Sequence, residues 1–429
     1  MYQERLEELL KKKGIGPSGS KSLKKEELKE LEQLFKNTYV SLTTKATMLT
    51  ALLTLPPTPE EEEWIHAVKH SSLDLLPLPL QDFLSNTPNH PFASTIQKLI
   101  AHEELSDAEC REGIDFILDN NNPDYLKGAF LEGERLKRES FNENKAFLES
   151  LWNHSERVEI NTPILLDICD SYDGSNRTPL YSPFLAALLA SLGYPTVLHG
   201  LDTVAPKMGT TSHQILKAAG KNPLKNLSEL ANDVVQADIA WGYADQSTFF
   251  PRLHSLKKMR KEMVKRPFLA TFEKLLQPIH NKGGNHIITG YTHTHYREEL
   301  VKQLQAQKKC AKAIVLKGAE GSTHTSMTRD TVCVKYDGKD IYDSTVSPEK
   351  YRLKALERKI DTSLTAEDSA NEAIEAFAGK DNYAKHHMVW SATLIIHELT
   401  GAPAEDIAQA ARASLASGTA LKHWDKGCS

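Results

Sequence analysis

Residues 170–220 read DSYDGSNRTPLYSPFLAALLASLGYPTVLHGLDTVAPKMGTTSHQILKAAG. Two polar turns lie here, each leading into a helical pattern. A turn that opens a helix offers free backbone N–H groups and a favourable dipole to an anion, usually a phosphate. In the first turn Gly174 permits a tight bend. Asp173 could order ribose hydroxyls or hold a cation, and Arg177 could meet a phosphate. An Asp-Gly pair is also an ordinary turn. The second turn combines Lys207, a glycine and the hydroxyls of Thr210, Thr211 and Ser212. That composition suits phosphate, and it equally suits plain N-capping. Between the turns, His199 and Gly200 end a strand, where open α/β sheets place ligand sites. A histidine there can also be structural. Two such turns close together suggest a pocket for a phosphorylated ligand.

Three further stretches carry chemistry. Residues 250–278, FPRLHSLKKMRKEMVKRPFLATFEKLLQP, form the densest basic run. Leu253, Leu256, Met259 and Met263 make the apolar stripe of a helix, and the cations are a solvated face, an anionic-substrate pocket or a nucleic-acid surface. The tract KGAEGSTHTSMTR follows a strand, and its Glu320 is a candidate metal or hydroxyl ligand, although one carboxylate makes a poor magnesium site. Thr292-His293-Thr294-His295 has HxH spacing without an evident third ligand, so a surface turn is the alternative to a metal pair. Cys110, Cys169, Cys310, Cys333 and Cys428 are scattered and lack CxxC spacing. They read as reduced cytosolic thiols, giving a cytoplasmic expectation.

The elements that must position these residues follow from pattern. A chain of 429 residues with a net charge of −5 is long enough for two or three domains. The acidic balance gives no whole-molecule attraction to nucleic acid or an anionic membrane. The longest apolar run, residues 184–192, is too short to span a bilayer, and the charged amphipathic N-terminus has no signal-peptide core. Residues 1–155 are helical in pattern, with helix starts at Thr58-Pro59 and Ser106. An internal repeat at an offset of 82 residues matches Leu23 to Leu105, Glu27 to Glu109, Glu30 to Glu112, Lys45 to Lys127, Leu49 to Leu131 and Glu61 to Glu143. Duplication and the generic likeness of amphipathic helices both account for it, and residues 71–95 read as the linker between copies. From about 156, the strand candidates VEINTPILLDICD, PTVLHG, HIITGYTH, AKAIVLKG and DTVCVKY alternate with helices. The last 65 or so residues return to helix, with Gly379, Gly401 and Gly418 at C-cap positions. The expected fold is α/β: a small all-helical N-terminal domain and a larger α/β domain with a mostly parallel central sheet flanked by helices. The expected division is an extra helical region over 1–89, a helical domain over 90–155 joined by basic helices near 251–280, and an α/β domain over 156–429.

HPFASTIQKL, LSDAECREGIDFIL, GAFLEGERLKRES, YDGSNRT, SPFLAALLASLGYPTVLHG, the basic run and LKGAEGS come in an order that resembles the anthranilate phosphoribosyltransferase family. That glycosyltransferase group also includes pyrimidine nucleoside phosphorylases. The resemblance runs from about His90 to Gly418 and fits divergent branches best. It implies a helical domain joined to an α/β domain, with phosphoribosyl diphosphate between them. It places Asp173, Gly174 and Ser182 near the diphosphate, with His199, Gly200 and the 207–212 loop closing around it. It places His254, Arg260 and Arg266 on the acceptor side. Three departures stand out. The family's GTGGD loop is DSYDG here, its KHGNR turn is Leu198-His199-Gly200-Leu201-Asp202, and its Asp-Glu magnesium pair falls near Thr323 and His324. Magnesium is a possible cofactor, although the acid pair that serves the family's usual route is absent, and no other cofactor is indicated.

Two functions are expected from this reading. One is transfer of a ribosyl or phosphoribosyl group to or from an aromatic or nitrogenous acceptor, with a phosphorylated ribose or nucleotide-like ligand. The other is non-catalytic nucleic-acid binding on the same fold, through the basic helix. No membrane partner is expected. A homodimer is expected from the family.

Overall fold

The helix signals of the first 155 residues become helices with the caps they encode. The Glu61 amide donates to the Thr58 hydroxyl, and the Thr58 amide donates back to the Glu61 carboxylate. Ser106 and Glu109 do the same, so each pair satisfies two orphan amides of a first turn. The computed structural model describes residues 1–16, 19–307 and 309–429, and of His295 the backbone alone. The chain divides into two compact units: residues 1–151 with 255–270, and residues 152–254 with 271–429.

The first unit is helical. Its N-terminal stretch forms α1 (Tyr2–Lys13), α2 (Lys25–Lys36), α3 (Leu42–Thr54), α4 (Pro59–His70), α5 (Leu78–Gln81), α6 (Ala93–Ile100), α7 (Asp107–Leu118), α8 (Asp124–Lys137) and α9 (Phe141–His154). Helices α2, α3 and α4 begin 82 residues before α7, α8 and α9 (107 − 25, 124 − 42, 141 − 59). The bonds follow the same offset. The Leu23 amide donates to the Glu61 carboxylate at 2.9 Å, and the Leu105 amide donates to Glu143 at 2.7 Å. A lysine also pairs with each glutamate, Lys13 of α1 at 2.7 Å and Lys137 of α8 at 2.6 Å, but these two lysines are 124 residues apart (137 − 13) and stand outside the repeat. Lys45 and Lys127 are both buried, and burial pushes both ammonium pKa values down. Helices α3 and α8 pack together, and Gly128 permits it: a Cβ there would lie 2.9 Å from the Thr43 methyl.

The second unit is built on strands. Their order in the seven-stranded sheet is β4-β3-β2-β6-β7-β8-β9, where β2 is Leu166–Cys169, β3 Thr196–Gly200, β4 Trp241–Asp245, β6 Asn285–Gly290, β7 Cys310–Leu316, β8 Thr331–Tyr336 and β9 Ile341–Val346. The strands from β4 to β7 are parallel, and β8 and β9 are antiparallel. The sheet is thus mostly parallel, as the alternating pattern implies. Alternation along each strand separates two faces. Leu166, Ile168 and Leu198 enter the apolar core with α10 (Ser182–Ser191), whereas Asp167, Cys169 and His199 are buried on the other face.

Four expectations change. VEINTPILLDICD is two strands: β1 (Val158–Ile160) pairs with β5 (Ile279–Asn281) in a separate sheet, and β2 enters the large one. Pro163 lies between them, and the Thr162 amide turns aside to Asn281 at 2.9 Å. The basic run is not one helix. It forms α14 (Pro251–Ser255), α15 (Lys257–Met263) and α16 (Leu269–Phe272), after the short α13 (Gln246–Phe249). Val264 takes a left-handed φ of 62° and ends α15, and Pro267 follows. Its stripe of Leu253, Leu256, Met259 and Met263 is buried as expected. Strands β4 and β9 carry no strand signal that the sequence reading caught. The linker segment 71–95 contains α5 and the start of α6. Among the described residues, no helix is long and apolar enough to cross a membrane.

Candidate functional site

Two loops leave the carboxyl ends of β2 and β3, the edge where parallel sheets gather ligand-binding loops. The first runs through Asp170 to Thr178. The second ends at Thr211, the N-cap of α11 (Ser212–Ala218). They pair like two short strands. The Ser175 amide donates to the Thr210 carbonyl at 2.9 Å, the Thr210 amide returns to Ser175 at 2.8 Å, and the Gly209 amide reaches the Asp173 carbonyl at 2.8 Å. The glycines make this approach possible. Gly174 has a φ of 77°, and a Cβ there would stand 2.4 Å from the Gly209 oxygen.

A third loop, after β7, brings in Glu320. Its Oε2 accepts from the Ser175 hydroxyl at 2.6 Å, the Asn176 amide at 2.9 Å and the Arg177 amide at 2.9 Å. Its Oε1 lies 3.0 Å from the Lys207 ammonium. Lys207 also donates to the Gly174 carbonyl. Two amides, a hydroxyl and an ammonium thus converge on one anion. Burial pushes the Glu320 carboxyl up, but the Ser175 hydroxyl, Lys207 and the Arg177 amide outweigh it and hold its pKa below the usual carboxylate value.

The other candidates occupy distinct places. Asp173 is buried and contributes its carbonyl to the loop pairing. The Arg177 side chain is exposed. Ser182 donates to the Asp170 carboxylate, whose other oxygen accepts from the Thr323 amide and hydroxyl at 2.9 Å each. His199 is buried, with Tyr172 on its Nδ1. Gly200 lies under the Tyr243 ring, where a Cβ would meet its hydroxyl at 3.2 Å. Thr211 caps α11 and donates to the Asp202 carbonyl at 3.0 Å, and Ser212 opens the helix. His254 Nε2 is 3.4 Å from Asp202. Arg260, buried on α15, and Arg266, exposed, belong to the first unit. The structure therefore gathers Gly174, Lys207, Thr210, Glu320 and the Arg177 backbone. The parts not read from sequence are Ser175 and Asn176, whose only signal is their place beside Gly174, and Asp170, which ties the expected Ser182 to Thr323.

Magnesium does not fit around Glu320, because its oxygens face N–H, O–H and NH₃⁺ donors, where the ion requires oxygen ligands. Thr323 hydrogen-bonds Asp170, and burial drives the His324 pKa well below its usual value. Of the two readings of the HxH segment, the surface turn fits: Thr292 and His293 lie in an exposed bend, with His293 the N-cap of α17 (Thr294–Ala306), and the His295 side chain lies outside the described residues. One described trio has metal-ligand chemistry: Asp167, Cys169 and His199 bring one ligand atom each within 4.8 Å of one another. His199 Nε2 and Cys169 Sγ each lie 3.4 Å from Asp167 Oδ1. Burial raises the Cys169 thiol pKa well above its usual value.

A family model described as a glycosyl transferase family helical bundle domain matches residues 93–155. The anthranilate phosphoribosyltransferase of Alkalilimnicola ehrlichii is 26% identical over 325 residues, covering 74% of this chain and 92% of that protein. An uncharacterized protein of Aquifex aeolicus is 28% identical over 244 residues, covering 56% of this chain and 70% of that one. Among solved structures, the anthranilate phosphoribosyltransferase of Thermus thermophilus superposes with a TM-score of 0.63 at 18% identity, covering 77% of this chain and 97% of that one. The Saccharomyces cerevisiae enzyme, solved in complex with PRPP and Mg, gives 0.65 at 17% identity, covering 78% and 96%. The two structures establish a shared fold, and the sequence matches establish descent. The chain is a distant homologue of the anthranilate phosphoribosyltransferase-like glycosyl transferases.

Proposed function

We propose that the second unit binds the phosphate of a phosphorylated ribose, and that the chain transfers a ribosyl or phosphoribosyl group to or from an aromatic or nitrogenous acceptor. The observation that carries this reading is the built anion cradle: Ser175, Asn176, Arg177 and Lys207 converge on a carboxylate at 2.6 to 3.0 Å. Cleavage at the anomeric carbon would pass through an oxocarbenium-like state. Catalysis would then rest on positioning and on neutralising the departing phosphate, which these donors are arranged to do. Arg177 adds an exposed guanidinium beside the cradle. Thr210, Thr211 and Ser212 shape the loop, and His254, Arg260 and Arg266 are proposed for the acceptor. The standard anthranilate reaction is not proposed, since the GTGGD loop keeps one glycine, the KHGNR turn keeps His-Gly but loses its lysine, asparagine and arginine, and the acid pair is absent. Titration calorimetry with phosphoribosyl diphosphate, ribose 5-phosphate and nucleosides tests the reading. Binding that weakens at least about tenfold in Lys207→Met is expected, as for loss of a charge-assisted bond. No binding by any of these ligands removes its basis.

A second reading is nucleic-acid binding by the first unit. It is favoured by the exposure of Lys258, Lys261 and Arg266, which lie along and just after α15. A homodimer is proposed from the resemblance.

A further inference from the structure

Glu320 sits in the cradle under backbone strain. Its φ of 54° and ψ of 20° are left-handed, a conformation that disfavours a side chain other than glycine or asparagine. The next residue, Gly321, also has positive φ, at 81°. A strained turn that delivers a carboxylate to four donors is over-determined by those donors. Nothing in the donor set is specific to a carboxylate. Two N–H groups, a hydroxyl and an ammonium suit a phosphate oxygen equally, and a phosphate monoester brings three oxygens and up to two charges where Glu320 brings two oxygens and one.

We propose that Glu320 is an internal competitor for the anion site: its carboxylate fills the cradle of the free chain, and the phosphate of the ligand displaces it. The proposal rests on the phosphate-ligand reading above. It assigns Glu320 the role of an anion stand-in. It also names the ligand group that would win the exchange: a terminal phosphate or diphosphate, which out-charges a carboxylate, over a carboxylate or a neutral sugar. The displaced Glu320 would be free to relax from its left-handed conformation, which lowers the cost of leaving.

The test compares the full chain with Glu320→Gly and with the double variant Glu320→Gly, Lys207→Met. Glycine accepts the backbone angles, so the single variant should fold, with circular dichroism and thermal midpoint as the control. Glu320→Gln, which keeps the size and loses the charge, is the second variant. By calorimetry with inorganic diphosphate and phosphoribosyl diphosphate, Glu320→Gly is expected to bind at least about tenfold tighter than the wild type, the factor for removing one charge-assisted competitor. Glu320→Gln should fall between, and Lys207→Met should reverse the gain. Equal affinity in the wild type and Glu320→Gly overturns the competitor while leaving the phosphate reading standing. Absence of binding in both overturns the phosphate reading, and the competitor with it.

Discussion

Four histidines, His280, His286, His324 and His387, are held neutral chiefly by burial. The pKa values of His280, His286 and His387 fall to about 4, and that of His324 falls well below its usual value. A group whose folded pKa is lowered binds its proton more readily when unfolded. Stability therefore declines as pH falls from the ordinary histidine value of 6.5 towards 4. The midpoint of urea unfolding should drop steadily over that interval, and a flat profile would show that these rings do not titrate as their burial requires. Glu320 acts lower. Its contribution is complete above the ordinary value of 4.5 and is lost as pH falls through its lowered one. In Glu320→Gln the profile should be shallower below that point. The sequence made Gly174 and Lys207 legible because a tight turn and a cation before a helix have local signatures. It offered Glu320 as a metal or hydroxyl ligand, and the Ser175 hydroxyl is one of its partners, but a carboxylate among glycines does not say which other groups surround it. Those neighbours come from two other loops, 113 and 145 residues away (320 − 207, 320 − 175).

Helices with caps were the most legible elements, since a capping box lies within four residues. The strands were less so. WGYAD of β4 has few β-branched residues, and β9 is largely exposed with no apolar alternation. The bonds repeated between the helices of the first unit give the proposed duplication a mechanical test. Glu61 and Glu143 are each fully buried, each accept a loop amide and each pair with a lysine. Glu61→Gln and Glu143→Gln should each cost about 1–3 kcal/mol, because each weakens a charge-assisted bond to a lysine; Lys137 keeps Glu134 at 3.4 Å. If the two sites are equivalent, the two losses will agree within about 1 kcal/mol, within the usual spread for such bonds. A large loss at one site and none at the other would end the equivalence. Gly113→Ala probes packing in α7. Its Cβ would fall 2.4 Å from the Phe130 ring, so about 1–3 kcal/mol of destabilisation is expected by thermal unfolding.

At the scale of the whole molecule, the alternation of strands and helices was enough to read the fold class, because connection rules allow few other sheets. The proposed homodimer should appear by light scattering as twice the 47.9 kDa chain mass, and a single-chain mass would remove it. Net charge bears on the other function. A chain at −5 repels a polyanion at long range, so nucleic-acid binding must come from a local set of cations. The exposed set near α15 is Lys258, Lys261 and Arg266. Three neutralised phosphates on a single strand would give a slope of log affinity against log salt of roughly −2. Affinity should therefore fall only about tenfold for each threefold rise in salt, with little dependence on sequence. Lys258→Glu with Lys261→Glu should flatten the slope and abolish binding at moderate salt, while leaving diphosphate binding by the second unit unchanged. A slope near −5 would require a larger basic footprint than α15 supplies. Affinity indifferent to salt would exclude recognition of a phosphate backbone by α15 and leave anion binding to the cradle of the second unit.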